Sequence, residues 1–262
     1  MQVQDERSQD ELVQTLQRQV DELTADNLLL KEQLTRKEQF AAMIAHELRG
    51  PLTPIINYAQ MAARPNQRRE NIERATNIII SQAWRLTRLA KDLLDASRLS
   101  SGRFTLSCHP CDAVKLVKEV VEQLRPVAPY HKFAIEVPDK PIIGQWDGGR
   151  LEQALGNLLD NAIKYSDEET TITVRAWKTE HAAHISVHNE GVSIPTTERS
   201  RLFHPYARLQ GSGTQQGSGL GLYITKSIVE AHGGELRLEQ AADDDQGTTF
   251  AFDLPMGNKP LK

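Results

Sequence analysis

Long apolar runs are missing from this chain. Uninterrupted stretches such as Leu28 to Leu30 and Ile78 to Ile80 fall far short of the roughly 18 residues that span a bilayer, so no direct membrane insertion is expected. The N-terminus carries Asp5, Glu6 and Arg7 without an apolar core, which argues against a secretory signal and leaves a cytoplasmic location as the expectation. An excess of one charge is lacking too. With 31 basic and 35 acidic side chains the net charge is -4, which gives no long-range pull toward nucleic acid or an anionic membrane. Cysteine is scarce, the only two residues forming Cys108-His109-Pro110-Cys111. That spacing would suit a thiol redox pair opening a helix, whereas a zinc site needs more ligands than are nearby. The tetrapeptide reads more simply as a connection between a short strand-like run, Phe104 to Ser107, and a helix beginning near Asp112, with Pro110 and Asp112 as helix-start residues.

What the chain has is apolar periodicity. Val13, Leu16, Val20, Leu23, Asn27, Leu30 and Leu34 recur at alternating spacings of three and four, the a/d seam of a coiled coil. Valine at a with leucine at d favours two parallel strands, and a buried Asn27 at a would fix their register, so a parallel homodimer is expected. A single amphipathic helix lying against its own domain is the alternative. Carried forward, the register gives Ala41, Ile44, Leu48, Pro51, Ile55, Tyr58 and Ala62, and places His46 at f, the position farthest from the seam. An exposed imidazole beside Glu47 is poised for chemistry on something arriving from outside, the bland alternative being an ordinary surface histidine.

A second heptad set runs through Ile72, Ala75, Ile79, Gln82, Leu86, Leu89, Leu93 and Ala96, and the polar, proline-broken Ala63-Arg64-Pro65-Asn66-Gln67 between the sets reads as a turn. Two such helices form an antiparallel hairpin, and two hairpins from a parallel dimer make a four-helix bundle. Equal counting from the turn puts Trp84 near the level of His46, where its indole either approaches the ring or lies flat on the bundle flank. Pro51 and Pro54 each remove a backbone donor, and a bend just past His46 is expected.

Beyond residue 103, strand and helix patterns mix. Thr170 to Trp177 and Ala183 to His188 alternate as strands, while Glu235 to Gln240 and Thr248 to Leu254 look like a hairpin turning at Asp243 to Gly247. Helices are expected over Asp112 to Leu124, over Gly148 to Lys164 with Asp147 as N-cap, and over Gly219 to His232, ended by Gly233-Gly234. The fold class is therefore α+β: a parallel coiled coil over 1–37, a dimeric four-helix bundle of hairpins over 38–100, and a two-layer α/β sandwich over 103–262.

Within the sandwich, Asn157, Asn161 and Lys164 share a helix face by their spacings of four and three. Two carboxamides and an ammonium suit a magnesium-triphosphate ligand, since Mg2+ accepts a hard neutral oxygen and keeps waters and phosphate oxygens for the rest. Downstream, Gly217-Ser218-Gly219-Leu220-Gly221-Leu222 opens a helix, so backbone N–H groups and the helix dipole can face an anion. Each motif is weak alone.

Together, in this order and spacing over about 38–255, they resemble the sensor histidine kinases. His46 to Leu52 is similar to the H-box, Asn157 to Ser166 to the N-box, and Asn189-Glu190-Gly191-Val192-Ser193-Ile194-Pro195 to the first glycine box. Phe203 to Arg208 resembles the F-box and Gly217 to Leu222 the second glycine box. The resemblance implies a dimerisation and phosphoacceptor hairpin followed by an ATP-binding domain of the GHKL type, with residues near 207–216 as a lid. It implies autophosphorylation of His46 from ATP and Mg2+, then transfer to an aspartate on a response-regulator receiver domain, with residues 1–37 open to an upstream sensor. His46 would attack through Nε2 while Glu47 accepts from Nδ1–H. Asn161 would hold Mg2+, Asn157 and Lys164 would place phosphates, and Tyr165 would pack on the adenine or ribose. The nucleotide would also meet Asn189, Gly191 and Ile194, then Tyr206 and Arg208, and finally Gly217, Gly219, Leu220 and Gly221; a lid arginine in water is the alternative for Arg208.

Two departures from the family pattern carry consequences. Asn189 and Ser193 stand where Asp and Gly are usual, and an Asn oxygen loses the charge-assisted part of a bond from the adenine amine. Gly50 stands where Thr or Asn commonly orients the water that dephosphorylates the partner, so a kinase-biased protein is expected. Two rival readings are a GHKL ATPase that hydrolyses ATP, as in gyrase, mismatch-repair or heat-shock chaperone domains, and a nucleotide-binding scaffold without catalysis. The hydrolases carry a glutamate base four residues before the magnesium asparagine, where this chain has Asn157.

Overall fold

The heptad pattern propagates into one helix, α1 (Gln2–Ala62), which returns through a turn as α2 (Arg69–Ser100) in the computed structural model. The structure describes residues 2–65, 67–101, 103–191, 193–207, 219–239 and 247–257. Among the described residues no helix is long and apolar enough to cross a membrane. Helical geometry continues through Pro51 and Pro54, so the expected bend does not break α1. Neither proline can donate to the carbonyl four residues earlier, which leaves the Glu47 and Gly50 carbonyls without that ladder bond. In the second helix Ala75, Leu89 and Ala96 are buried, as the second register requires, and the two helices pack as an antiparallel hairpin. The upper seam has no cover in the single chain: Leu16, Val20, Leu23, Leu30 and Leu34 are each more than half exposed.

The sandwich begins with a correction. The run Phe104 to Ser107 is not a strand; the strand is β1 (His109–Asp112), which carries Pro110 and Cys111 and pairs antiparallel with β3 (Ile143–Trp146). Pro110 therefore opposes Gln145 in a two-stranded ribbon and does not start a helix. An edge position tolerates proline because no ladder bond is demanded of its nitrogen. Asp112 does cap, its carboxylate accepting from the Val114 and Ile142 amides at 3.0 and 3.1 Å and so tying the start of α3 (Ala113–Leu124) to the approach to β3. Cys108 and Cys111 are free thiols, and three residues apart on extended chain they project to opposite sides.

The main sheet contains β2 (Lys132–Glu136), β4 (Thr171–Lys178), β5 (Ala182–Asn189), β6 (Glu235–Glu239) and β7 (Thr248–Pro255), in the order β2-β4-β5-β7-β6. Only the β2–β4 pairing is parallel. One face is apolar: Ile172 and Val174, Ile185 and Val187, and Phe250 and Phe252 alternate inward and are buried. Over it lie α3, α4 (Gly148–Tyr165) and α6 (Gly221–Ala231), while α5 (Thr196–Arg199) is a single turn. Helix α4 presents Leu151, Ala154, Leu155, Leu158, Leu159 and Ala162, all buried, at the three-and-four spacing of one face. Each of the four leucines contributes about 2 kcal/mol of burial.

Asp147 caps α4 by accepting from the Arg150 amide at 3.1 Å, and its own amide donates to His232 Nε2 at 2.9 Å. His232 Nδ1 lies 2.7 Å from the Ile228 carbonyl, so one neutral tautomer joins the end of α6 to the start of α4. Helix α6 starts at Gly221 instead of Gly219, because Gly219 takes φ +65° and Leu220 serves as N-cap. The expected turn at 243–247 falls, except for Gly247, outside the described residues.

The hairpin and the sandwich share apolar and polar contacts. Ala96 joins the sandwich core, with Leu93 and Leu99 packed against it. Asp95, 2% exposed, accepts from Arg150 Nη1 and Gln153 Nε2, both at 2.8 Å, and Arg88 pairs with Asp160 farther along α4.

Candidate nucleotide cradle and phosphoacceptor helix

His46 is exposed on α1, as its f position requires. Glu47, expected to bond its ring, is turned inward and only 8% exposed, and no hydrogen bond links the two. Consecutive residues lie about 100° apart round a helix, so one faces out while the next faces the hairpin. Trp84 is 70% exposed, so the hairpin flank covers little of its indole.

The cradle is built where three segments converge on α4. The first is the end of β5 and the loop after it. Asn189, the last residue of that strand, follows Val187 on the apolar face and is 4% exposed, with Thr248 and Ile172 as its registered neighbours. Its amide nitrogen Nδ2 is buried with no hydrogen-bond partner. A buried donor left unsatisfied is costly, which marks a place built to meet something else.

Two residues on, Gly191 bridges to Ser166 just past α4 while the Asp167 amide donates to the Glu190 carbonyl at 3.0 Å. A β-carbon at Gly191 would stand 2.0 Å from the Tyr165 carbonyl oxygen, so only glycine lets the loop lie this close. Ile194 is buried beyond it, and Ser193 Oγ donates to the Gly247 carbonyl at 3.3 Å, fixing this loop to the start of β7.

The second segment is the pinch between Tyr206 and Gly219. The Tyr206 amide donates to the Gly219 carbonyl at 2.9 Å, and both residues have positive φ, 68° and 65°. A β-carbon at Gly219 would come within 2.8 Å of the Tyr206 carbonyl carbon. The two ends of the segment between them are thus held together at the N-terminus of α6. Burial, with Tyr223 nearby, pushes the Tyr206 phenol up to about 12, so it stays a neutral donor at ordinary pH. Arg208 and Gly217, with the expected lid over 207–216 apart from Ala207, lie outside the described residues.

The third segment is the start of α6. Leu220 is fully buried, and the first N–H groups of a helix have no partner within it. Asn157 Nδ2 donates to the Gly221 carbonyl at 3.2 Å and lies 3.5 Å from Thr225 Oγ1, tying α4 to this helix. One of the two asparagines expected to meet phosphate therefore already spends its amide on holding the cradle's walls together. Asn161, one turn on, is half-buried, Lys164 is exposed, and Tyr165 is 36% exposed at the rim. The structure thus gathers Asn157, Asn161, Tyr165, Asn189, Gly191, Gly219, Leu220 and Gly221 around one end of α4, apart from His46 on the hairpin.

The polar clasp of Arg88, Asp92, Asp95, Arg150, Gln153 and Asp160 was not foreseen from the sequence. Its signal was slight: Asp92 and Asp95 each stand one residue before a seam position, Leu93 and Ala96, where charges are ordinarily solvated. Burial pushes the Asp92 carboxyl up to about 6, against the pull of Arg88 and with help from Asp95.

Comparison with known proteins agrees with this geometry. Residues 36–102 match the His Kinase A (phospho-acceptor) domain, and residues 146–258 match the histidine kinase-, DNA gyrase B-, and HSP90-like ATPase family. The chain is 32% identical over 255 residues to the "Probable sensor histidine kinase TcrY" of Mycobacterium tuberculosis, covering 96% of this chain and 53% of that one. Among solved structures, the mycobacterial sensor histidine kinase MprB is 30% identical with a TM-score of 0.51, covering 57% of this chain and 97% of that one. Full-length ShkA in complex with AMPPNP is 27% identical with a TM-score of 0.60, over 86% of this chain and 47% of that one. The chain belongs to the sensor histidine kinase family. It spans about half the length of TcrY.

Proposed function

We propose that this protein is a histidine kinase that transfers the γ-phosphoryl group of ATP to His46 and from there to an aspartate of a response-regulator receiver domain. The observation that carries this reading is an exposed imidazole on α1 in a chain whose nucleotide cradle is clasped to the same hairpin through Arg88–Asp160 and Asp95–Arg150. Counting equal steps from the turn sets Trp84 level with His46, so those clasps lie about 6 and 16 Å along α2 from that level.

The residues suggest a division of labour. Asn189, Gly191 and Ile194 would receive the base, Tyr165 and Tyr206 would flank it, and the α6 N-terminus with Gly219, Leu220 and Gly221 would face the phosphates. Gly217 and Arg208 belong to the same reading, the guanidinium facing the γ-phosphate, where charge spreads in a loose transition state. The half-buried carboxamide of Asn161 fits Mg2+, which requires few protein ligands and would supply charge neutralisation at the phosphates, and Lys164 adds a cation beside it. The lone pair of one His46 ring nitrogen forms a bond to the γ-phosphorus as the bond to the β,γ-bridging oxygen breaks, and ADP leaves with that electron pair. The ring then carries positive charge and gives up its other N–H proton. Glu47 is the adjacent carboxylate to take it, after its side chain swings outward from its present inward position.

ATP hydrolysis is the weaker reading, because Asn157 stands at the place of the hydrolytic base and its amide already donates to Gly221. The exposed leucine seam over Leu16 to Leu34 supports residues 1–37 as a parallel homodimeric coiled coil, open to an upstream sensor, ahead of a dimerisation hairpin over 38–100 and an ATP-binding domain over 103–262. The test is incubation of the chain with γ-labelled ATP. Acid-labile label on the protein, abolished in His46→Gln and in Asn161→Ala, supports the kinase; release of free phosphate alone, or no turnover, overturns it.

A further inference from the structure

The side chain at the base end of the cradle is a carboxamide, and this changes what the pocket can read. Asn189 is 4% exposed, is the last inward-facing residue of β5, and holds a buried Nδ2 without a partner. An ionised carboxylate at this point would offer acceptors only. A carboxamide offers one acceptor and a two-hydrogen donor, side by side in one plane.

That pair matches the six-position edge of a purine in either sense. With adenine, Oδ1 accepts from the exocyclic N6 amine while Nδ2 donates to N1, a bidentate arrangement of the kind amides make on adenine edges. With a 6-oxopurine the amide turns over: Nδ2 donates to O6 and Oδ1 accepts from N1–H. Both states satisfy the buried Nδ2, and the turn about the terminal torsion needs no movement of β5.

We propose that Asn189 makes the nucleotide cradle tolerant of 6-oxopurine as well as 6-aminopurine nucleotides. The proposal rests on reading this cradle as the ATP site and adds to it a specificity that the amide sets. Its counterpart is Asn189→Asp. A carboxylate there accepts from N6 of adenine or from N1–H of a 6-oxopurine, but its second oxygen then faces an acceptor, N1 in the one case and O6 in the other, so neither base is paired at both positions.

The test uses the full chain with Mg2+ and compares ADP with IDP, which differ only at the purine six-position, by calorimetric titration. Wild-type protein is expected to bind IDP within about tenfold of ADP, and Asn189→Asp, which pairs each base at one position only, to bind both nucleotides about tenfold or more weakly. Asn189→Ser, whose hydroxyl also both donates and accepts, is expected to bind both nucleotides more weakly while keeping their ratio near the wild-type value. A wild-type preference for ADP of a hundredfold overturns the proposal whether or not either variant folds. So does an undiminished affinity for both nucleotides in Asn189→Asp. If wild type binds ADP and IDP equally poorly, with no saturation at millimolar nucleotide, the ATP-site reading itself falls and the proposal with it.

Discussion

Asp95 and Arg150 meet at 2.8 Å with side chains only 3% and 19% exposed, joining the last turns of the hairpin to the first turn of α4. Gln153 shares the same carboxylate oxygen, and the Arg150 guanidinium lies 4.8 Å from the centroid of the Phe104 ring on the connecting segment. A surface ion pair is worth little, whereas removing one member of a buried pair strands the other's charge. Asp95→Ala is therefore expected to cost about 3 kcal/mol in urea unfolding of the full chain. A loss below about 1 kcal/mol would show that the pair behaves as a solvated one.

Two glycines, one just past β5 and one inside α4, have opposite expectations. Gly191→Ala sets a β-carbon 2.0 Å from the Tyr165 carbonyl oxygen, a backbone atom that cannot move without parting β5 from α4. A stability loss of about 2 kcal/mol and a roughly tenfold weaker ADP titration are expected. Gly156 is inside α4 with nothing within 4 Å of its would-be β-carbon, so Gly156→Ala is expected to stabilise by about 0.5–1 kcal/mol. Equal effects at the two positions would contradict this account of the close approach.

Two buried titrating groups give the fold opposite pH slopes. Burial lowers the His232 pKa below its ordinary 6.5, since its Nε2 must stay unprotonated to accept from the Asp147 amide. The unfolded chain then binds more protons, so the His232 contribution is intact above pH 6.5 and is lost as pH falls below it. Asp92 runs the other way: raised from 3.8 to about 6, it takes up a proton on folding between those values, so its ionisation increasingly penalises the fold as pH rises toward 6. Asp92→Asn is expected to raise the Tm above wild type more at pH 8 than at pH 4, and His232→Gln to flatten the acid limb of the wild-type curve. A pH-independent Tm difference for Asp92→Asn would remove burial as the cause.

The parts of this fold legible in the sequence are those with long repeats or strong end signals. The two heptad registers predicted both hairpin helices and the exposure of His46, and Asp112, Asp147 and Gly233 marked helix ends that the structure keeps. Strands β1, β2 and β3 escaped notice because four or five residues carry too little alternation, and β1 includes a proline that local rules assign to a helix start. The clasp was illegible for a different reason. Asp95 looks like any helix-surface carboxylate until α4 covers it, and which helix covers it is decided by a connection whose irregular stretch, 103–108, no periodicity describes. Asn189 was visible as a departure from the family pattern, but its buried, unpaired amide exists only once Thr248 and Ile172 are its neighbours.

Gly50 lies one helical turn beyond His46, on the same face of α1, where a side chain at i+4 stands beside the imidazole. Under the proposed transfer to a receiver aspartate, a residue without a β-carbon has nothing to hold a water against the aspartyl phosphate, so the receiver is expected to keep its phosphate. Gly50→Thr restores a hydroxyl there, and the helix-propensity change is small and slightly favourable. With a receiver domain phosphorylated by the proposed transfer from His46, the variant is expected to speed loss of the aspartyl phosphate by roughly tenfold or more, the range that a positioned hydrogen-bonding group supplies. Time courses with ADP present, run on wild type and variant, check this. Rapid dephosphorylation by the wild type, or no gain in Gly50→Thr with His46 labelling preserved, would place the control of phosphatase activity elsewhere on the hairpin.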